Sequence, residues 1–418
     1  MSATPAPLLV VEDSPMYAEI LQRLLPALGA EMRFAPKWVD TAEKAVEEVA
    51  KTNYALVLLD YKLPGADGMS VLAHIRSLPV QRQPAVIMLT GMGNEAIAVE
   101  AMKRGAKDYL SKDCLDVPSL VRAITSALER KRLEEQVARY TEELREKNAQ
   151  VEADLNMARE IQEAFLPDRY PTFPRNAVAK ESALHFHHRY LPTGAVGGDF
   201  FDVLPVSDTQ AGVFICDVMG HGVRAALVTA LVRALAEELV SASAEPDEFL
   251  TEINRRLLGI LARTRMPMFA SAFYLVADLA RGELRYSSAG HPNPLLVRRS
   301  AGTVEALRFP DCRPGPALGV FEESVYPICQ CPLAPQDLVV LFTDGLYEVE
   351  GAEGDEYGQA RLLTAVRQRI NLPMDQLFDE LLADVRKYAV SRGFMDDVCI
   401  VGMEVSRVGL TEERRARP

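Results

Sequence analysis

At 418 residues the chain exceeds what one hydrophobic core ordinarily fills, so two folded domains and a connector are expected. Hydrophobic residues make up 48% and charged residues 25%, with no apolar run near the roughly 20 residues a membrane span needs, so a membrane protein is not expected. Acidic side chains outnumber basic ones by 59 to 46, leaving a net charge of −13 and no broad cationic surface for nucleic acid. The start runs from Pro5 and Pro7 into Leu8-Leu9-Val10-Val11, without the basic segment and cleavage site of a secretory signal, and a cytoplasmic location is expected. The six cysteines form no CxxC pair, which fits reduced thiols; Cys329 and Cys331 read as incidental strand residues.

In residues 1–125, apolar runs at Leu8–Val11, Tyr54–Leu59, Ala85–Leu89 and Lys107–Leu110 alternate with amphipathic stretches such as Thr41–Lys51. That alternation predicts a parallel α/β sheet, whose ligands bind beyond the carboxyl ends of the strands. The residues at those ends are chemical: Glu12 and Asp13, then Asp60, Thr90 and Lys112. Three carboxylates at one edge repel unless a hard divalent cation sits among them, and oxygen ligands suit magnesium. Together with Lys62-Leu63-Pro64-Gly65 after Asp60, this set resembles the receiver domains of two-component systems, of flavodoxin-like (βα)5 fold. The resemblance implies that Asp60 accepts a phosphoryl group from a sensor histidine kinase. It also implies that Glu12, Asp13, Asp60 and the Lys62 backbone hold Mg2+, that Thr90 and Lys112 engage the phosphoryl oxygens, and that Tyr109 is the rotating aromatic.

From Ser119 the sequence reads as one long polar helix without Pro or Gly until Pro167, and residues 126–166 are expected to connect the domains. Leu133, Val137, Tyr140 and Leu144, then Val151, Leu155 and Ala158, follow the three-four spacing of a coiled-coil seam, with a stutter at Asn148. A homodimer through this helix is expected; the plainer reading is a solvated spacer. The end of the segment, Ala158-Arg159-Glu160-Ile161-Gln162 and then Phe165-Leu166-Pro167, resembles what precedes the catalytic domain in bacterial stress and sporulation phosphatases of the SpoIIE and RsbU kind.

Residues 167–406 place acids at the ends of apolar strands: Asp199 in Gly197-Gly198-Asp199-Phe200-Phe201-Asp202, Asp217 after Gly212–Cys216, Asp344 after Leu338–Thr343, and Asp396-Asp397 before Val398–Val401. Neighbouring glycines let backbone approach closely, and the carboxylates could cage two divalent ions that clamp a phosphate and activate water. The motifs GGDFFD, DVMGHG, SAGHPNPLL, FTDGLYE and DDVCIV resemble the bacterial branch of PPM-type protein phosphatases, with an α/β/β/α sandwich fold. Carried over, Asp199, Asp217, Asp344 and Asp396 are catalytic acids that hold two Mn2+ or Mg2+, with the Val218 backbone carbonyl. Asp397 stands open beside Asp396 as the alternative ligand. Cys399 replaces a more usual hydroxyl residue, which removes a hydrogen bond near the metals. The segments Gly222–Val240 and Glu248–Leu261 read as helices packed on a sheet.

His221 and His291 could be metal ligands or general acids, but sit in Gly- or Pro-flanked turns where an ordering role fits at least as well and are left out of the catalytic set; of His185, His187 and His188 two could share a strand face and bind a metal, but an exposed polar face is expected. The substrate implied by resemblance is a phosphoserine or phosphothreonine protein, an anti-sigma-factor antagonist of the STAS type. Two other functions compete. A diguanylate cyclase loop would need an acid at Phe200 and leaves Asp217, Asp344 and Asp396 idle. A phosphatase-like adaptor that only binds a partner under receiver control would have lost such acids. No basic recognition helix supports a DNA-binding output. Residues 407–418 are expected to be a disordered tail.

Overall fold

The computed structural model describes residues 5–29, 32–91, 95–240, 244–263, 267–310, 312–390 and 393–410, and the chain divides into two compact units, 1–150 and 151–418.

In the first unit β1 (Ala6–Val11), α1 (Pro15–Leu24), β2 (Phe34–Val39), α2 (Ala42–Lys51), β3 (Leu56–Asp60), α3 (Gly68–Ser77), β4 (Ala85–Thr90), α4 (Glu95–Lys103) and β5 (Asp108–Ser111) precede the long helix α5 (Val117–Glu163). All pairings are parallel in the order β2-β1-β3-β4-β5. Central strands β3 and β4 are buried along their whole length because helices cover both faces of the sheet. Alternation along β1 sorts its side chains: Leu9 and Val11 pack with α2 and α3 residues such as Ala45, Val49 and Leu72, while Leu8 and Val10 pack with Leu21 of α1 and Leu120, Ile124 and Ala127 of α5. Thr41 and Asp67 cap α2 and α3 by accepting from the Lys44 and Ser70 amides. Strand β2 escaped the reading of apolar runs because Pro36 and Lys37 interrupt it. Proline is tolerated there because β2 is an edge strand, paired only with β1.

Beyond Ala127 the helix α5 changes character. Leu133, Val137, Tyr140, Leu144 and Val151 are each 54–65% exposed, so these positions of the expected seam face outward, while Leu155 and Ala158 are half-buried.

The second unit contains β6 (Leu184–Leu191), β7 (Asp199–Pro205), β8 (Gln210–Val218), α6 (Val223–Glu238), α7 (Pro246–Leu261), β9 (Ala270–Asp278), β10 (Glu283–Ala289), β11 (Leu295–Arg298) and β12 (Thr303–Ala306). There follow β13 (Cys329–Pro332), β14 (Asp337–Phe342), α8 (Gly358–Gln368), α9 (Met374–Tyr388) and β15 (Val398–Val405). Two antiparallel five-stranded sheets, β13-β10-β9-β8-β7 and β12-β11-β14-β15-β6, face each other across a core that includes Phe201, Ile215, Phe273, Phe186, Leu341 and Val401. Helices α6 and α7 cover the outer face of the first sheet around Phe214, Phe249 and Tyr274; α8 and α9 cover the second around Val340, Leu377 and Phe378. Each fully buried side chain of this size contributes roughly 1.5–3 kcal/mol. The sandwich core therefore carries the stability that lets costly acids gather at its rim.

Two expectations need correction. The tail is ordered as far as residue 410, since Val408 and Leu410 pack against the inter-sheet core and the Gly409 amide donates to the Leu279 carbonyl at 2.6 Å; residues 411–418 lie outside the described residues. The histidine strand β6 has no exposed polar face. Helix α9 lies over it, so His187 packs on the Phe378 ring and Arg189 pairs with Asp379, while His188 turns inward against Phe201 and bonds the Tyr170 hydroxyl. Burial holds the His187 and His188 pKa values below the ordinary imidazole range.

Candidate active site

In the first unit the strand ends bring the expected set together. Ligand oxygens of Glu12, Asp13 and Asp60 lie within 4.8 Å of one another. The Lys112 ammonium stands 2.7 Å from Glu12 and 2.8 Å from Asp60, and lies over the Tyr17 ring. Burial pushes both the Glu12 and Asp60 carboxyls up, against the hydrogen bonds from Lys112. Burial also opposes the charge on Lys112, yet its bonds to Asp60 and Glu12 outweigh that and its pKa is raised. The Lys62 amide donates to Asp60. Thr90, buried, ends β4 beside Ser111 of β5, and Tyr109 on β5 is 44% exposed. Motif reading missed Gly68: a Cβ there would stand 2.2 Å from the Asp60 carbonyl oxygen, so only glycine lets α3 start against the strand that carries Asp60.

In the second unit the antiparallel register of β7 and β8 sets Asp199 opposite Asp217. Asp344 opens a short turn after β14, and Asp396-Asp397 leads into the neighbouring β15. Glycines make the closure possible. A Cβ on Gly198 would meet the Val218 carbonyl oxygen at 2.7 Å, and one on Gly345 would meet the Asp397 carbonyl oxygen at 2.1 Å. Burial pushes the Asp199 carboxyl far above its ordinary range, with Asp217 adding to the effect. Asp217 is pushed up to about 7 by burial and by Asp344, Asp396, Asp397 and Glu348. Asp344 is raised by burial and by Asp396. The charges that most raise Asp217 are all carboxylates, a donor set that suits hard divalent cations.

The adjacent acids 396 and 397 have different surroundings. Asp397 is buried and fully engaged: one oxygen accepts from the Thr193 amide and hydroxyl at 2.7 and 3.0 Å, the other from the Gly198 amide at 2.6 Å. Asp396 is exposed at the rim, where it accepts from the Asp397 amide at 2.8 Å and acts on Asp217 and Asp344.

Other residues order the site in roles that the sequence motifs did not assign. The Thr343 hydroxyl donates to Asp199 at 2.7 Å and accepts from the Cys399 amide at 2.9 Å, so a hydroxyl stands at the Asp199 carboxyl although Cys399 offers none. Thr229 of α6 donates to the Gly198 carbonyl. Gln162, near the end of α5 and 7% exposed, donates to the Gly197 carbonyl at 2.7 Å and accepts from the Gly197 amide at 2.8 Å. Arg159 donates to the carbonyls of Gly194 and Ala195. The last turns of α5 are therefore fastened to the loop that ends in Asp199. A cavity of about 530 Å3 opens beside the acids, lined by Asp217, Ser271, His291, Asn293, Asp344 and Glu348. His291 is buried there with its Nδ1 2.8 Å from the Ser271 hydroxyl, and burial pushes its pKa down to about 3, consistent with an ordering part. His221 is exposed in the turn before α6.

Comparison with known proteins agrees with both halves. Residues 8–152 match the response regulator receiver domain family, and residues 207–406 match the Stage II sporulation protein E (SpoIIE) family. The second match begins after Asp199, which strand pairing returns to Asp217. Phosphoserine phosphatase RsbP of Bacillus subtilis is 24% identical over 52% of this chain and 51% of its own length; phosphoserine phosphatase RsbU of the same organism is 24% identical over 49% and 56%. The chain thus spans about half the length of these curated relatives. The SiaA-PP2C domain of Pseudomonas aeruginosa has the same fold, with a TM-score of 0.52 and 24% identity over 62% of this chain and 99% of that domain. Fold and site together define a receiver joined to a PP2C-type domain. Residues 8–152 thus carry a receiver domain and residues 207–406 a SpoIIE-type domain, joined in one chain.

Proposed function

We propose that this chain is a response regulator in which a sensor histidine kinase phosphorylates Asp60 and thereby governs a metal-dependent protein serine/threonine phosphatase. In this reading residues 1–125 receive the phosphoryl group, residues 126–166 transmit its effect, and residues 167–406 hydrolyse the substrate. The observation that carries it is the set of buried and rim acids around Asp217, whose pKa is raised most by burial and by other carboxylates. Two Mn2+ or Mg2+, held by Asp199, Asp217, Asp344, Asp396 and the Val218 carbonyl, would supply charge neutralisation and an activated water to a phosphate monoester. Asp397 is better suited to positioning than to ligation, because its oxygens are taken by Gly198 and Thr193. Thr343 orients the Asp199 carboxylate, and the walls at Ser271, Asn293 and Glu348 receive the phosphorylated segment.

In the receiver, Mg2+ among Glu12, Asp13 and Asp60 would complete the charge balance that Lys112 begins, and Thr90 and Lys112 would hold the phosphoryl oxygens. The outward stripe on α5 supports a homodimer through a coiled coil, and the Gln162 and Arg159 bonds support transmission from that helix to the Asp199 loop. The resemblance to RsbP and RsbU, both phosphoserine phosphatases, supports a phosphoserine or phosphothreonine protein of the STAS anti-sigma-factor antagonist type as substrate. A cytoplasmic setting suits such partners; among the described residues no helix is long and apolar enough to cross a membrane. The reading is tested by hydrolysis of a phosphoserine peptide by the full chain with Mn2+, with Mg2+ and with chelator. Turnover that needs the metal and vanishes in Asp344→Asn is expected. A folded protein with no turnover under any condition would favour the adaptor.

A further inference from the structure

Alternation along β13 puts Cys329 and Cys331 on its half-buried face and Gln330 and Pro332 on the exposed one. The irregular segment after β12 returns to this strand and brings the Cys312 sulfur to 3.8 Å from that of Cys329. The three cysteines line one cavity of about 970 Å3 with Tyr286, Leu307 and Arg308, open enough for a small oxidant to enter. At 3.8 Å the two sulfurs are in contact, and a disulfide would draw them to about 2.05 Å. Burial pushes the Cys331 thiol up to about 11, which leaves it protonated and a poor nucleophile.

We propose that Cys312 and Cys329 are an oxidisable dithiol that small disulfides of the glutathione class convert to a reversible intramolecular disulfide. One thiolate attacks the oxidant, expelling one small thiol and forming a mixed disulfide. The second thiolate then displaces the remaining small thiol. The protein loses two protons and two electrons, and one oxidant becomes two thiols. The consequence reaches the phosphatase groove. Beyond Cys312 the same segment runs through Pro314 and Ala317, which line the cavity of Asp217 and Asp344, and is tied to β10 where the Gly315 amide donates to the Ser288 carbonyl at 3.0 Å. Fastening Cys312 to β13 fixes the outer end of a wall whose inner end faces the substrate.

The test treats the full chain with oxidised glutathione and maps the product by mass spectrometry. The expected result is a loss of about 2 Da, the two hydrogens of one disulfide, with Cys312 and Cys329 joined, reversed by dithiothreitol. Cys312→Ser and Cys329→Ser should abolish the cross-link and Cys331→Ser should keep it. Six thiols still titratable after oxidation, or a bridge that maps to another pair, would overturn the proposal; the wild-type map alone decides this should a variant misfold. In the activity arm, which rests on the phosphatase reading, oxidation should raise KM for a phosphoserine peptide severalfold with kcat little changed. An unchanged KM in fully cross-linked protein would overturn the link to the groove.

Discussion

Each half of the chain gathers acids at the end of a sheet, and the two gatherings are balanced differently. In the receiver, Lys112 lies within 2.8 Å of both Glu12 and Asp60, so part of the negative charge is met by the chain itself. In the SpoIIE-type domain the charges that most raise Asp217 are other carboxylates, and the hydrogen bonds to the acids come from neutral groups: the Thr343 hydroxyl on Asp199, and Thr193 and the Gly198 amide on Asp397. A site built to accept and release one phosphoryl group keeps a resident cation close to the acceptor. On the proposed reading, a site for hydrolysis leaves more of its charge to be met by divalent ions, which would then be a condition of its chemistry.

The largest effect expected from this contrast is at Asp344. Asp344→Asn should lower kcat for a phosphoserine peptide on the order of a thousandfold while the circular dichroism spectrum is retained; near-normal turnover would remove Asp344 from the metal set. Next come the residues that hold the acids in place. Thr343→Val and Gln162→Ala should each weaken Mn2+ affinity about 10–100-fold, read by calorimetric titration, with Thr343→Ser close to wild type. Unchanged affinity would reduce these bonds to packing.

In the receiver the same logic predicts a loss of stability. Lys112→Ala leaves Glu12 and Asp60 buried without their cation and should lower the unfolding free energy by about 1–3 kcal/mol, with Mg2+ restoring much of it. Metal-stimulated basal hydrolysis should persist in this variant; its loss would contradict the division of labour. The smallest effect is one of pH. The folded His291 pKa lies at about 3, below the ordinary value of 6.5, so the unfolded chain binds a proton that the folded chain refuses. The stability this contributes is full above about pH 6.5 and drains away as pH falls toward 3, reaching a loss of about 2 kcal/mol near pH 5. His291→Gln should flatten that limb of a melting-temperature profile, and an identical slope in both proteins would contradict the assignment.

Sequence alone exposed the acids because each stands at one end of an apolar run, and the strand ends do gather them. It could not separate Asp396 from Asp397: adjacent residues differ only in which way each side chain turns, and that depends on the Gly198 and Thr193 amides some 200 positions away. Gln162 and Thr343 stand in motifs that carry the resemblance, but their bonds were not legible for a related reason, since their partners Gly197 and Asp199 lie 35 and 144 positions away. The histidine strand was misread because the cover that α9 provides arises from a helix nearly 200 residues later. Strand β2 was lost to Pro36, which an edge accepts and a central strand would not.

The central claim is that Asp60 controls hydrolysis at the Asp217 centre, and the most direct measurement is phosphoserine peptide turnover by the full chain in Mn2+, with and without a beryllofluoride mimic of phospho-Asp60. The account predicts a rate that shifts with the mimic in the wild type and does not shift in Asp60→Asn, while both proteins stay active. Turnover indifferent to the mimic in the wild type, with the adduct confirmed by mass, would contradict it.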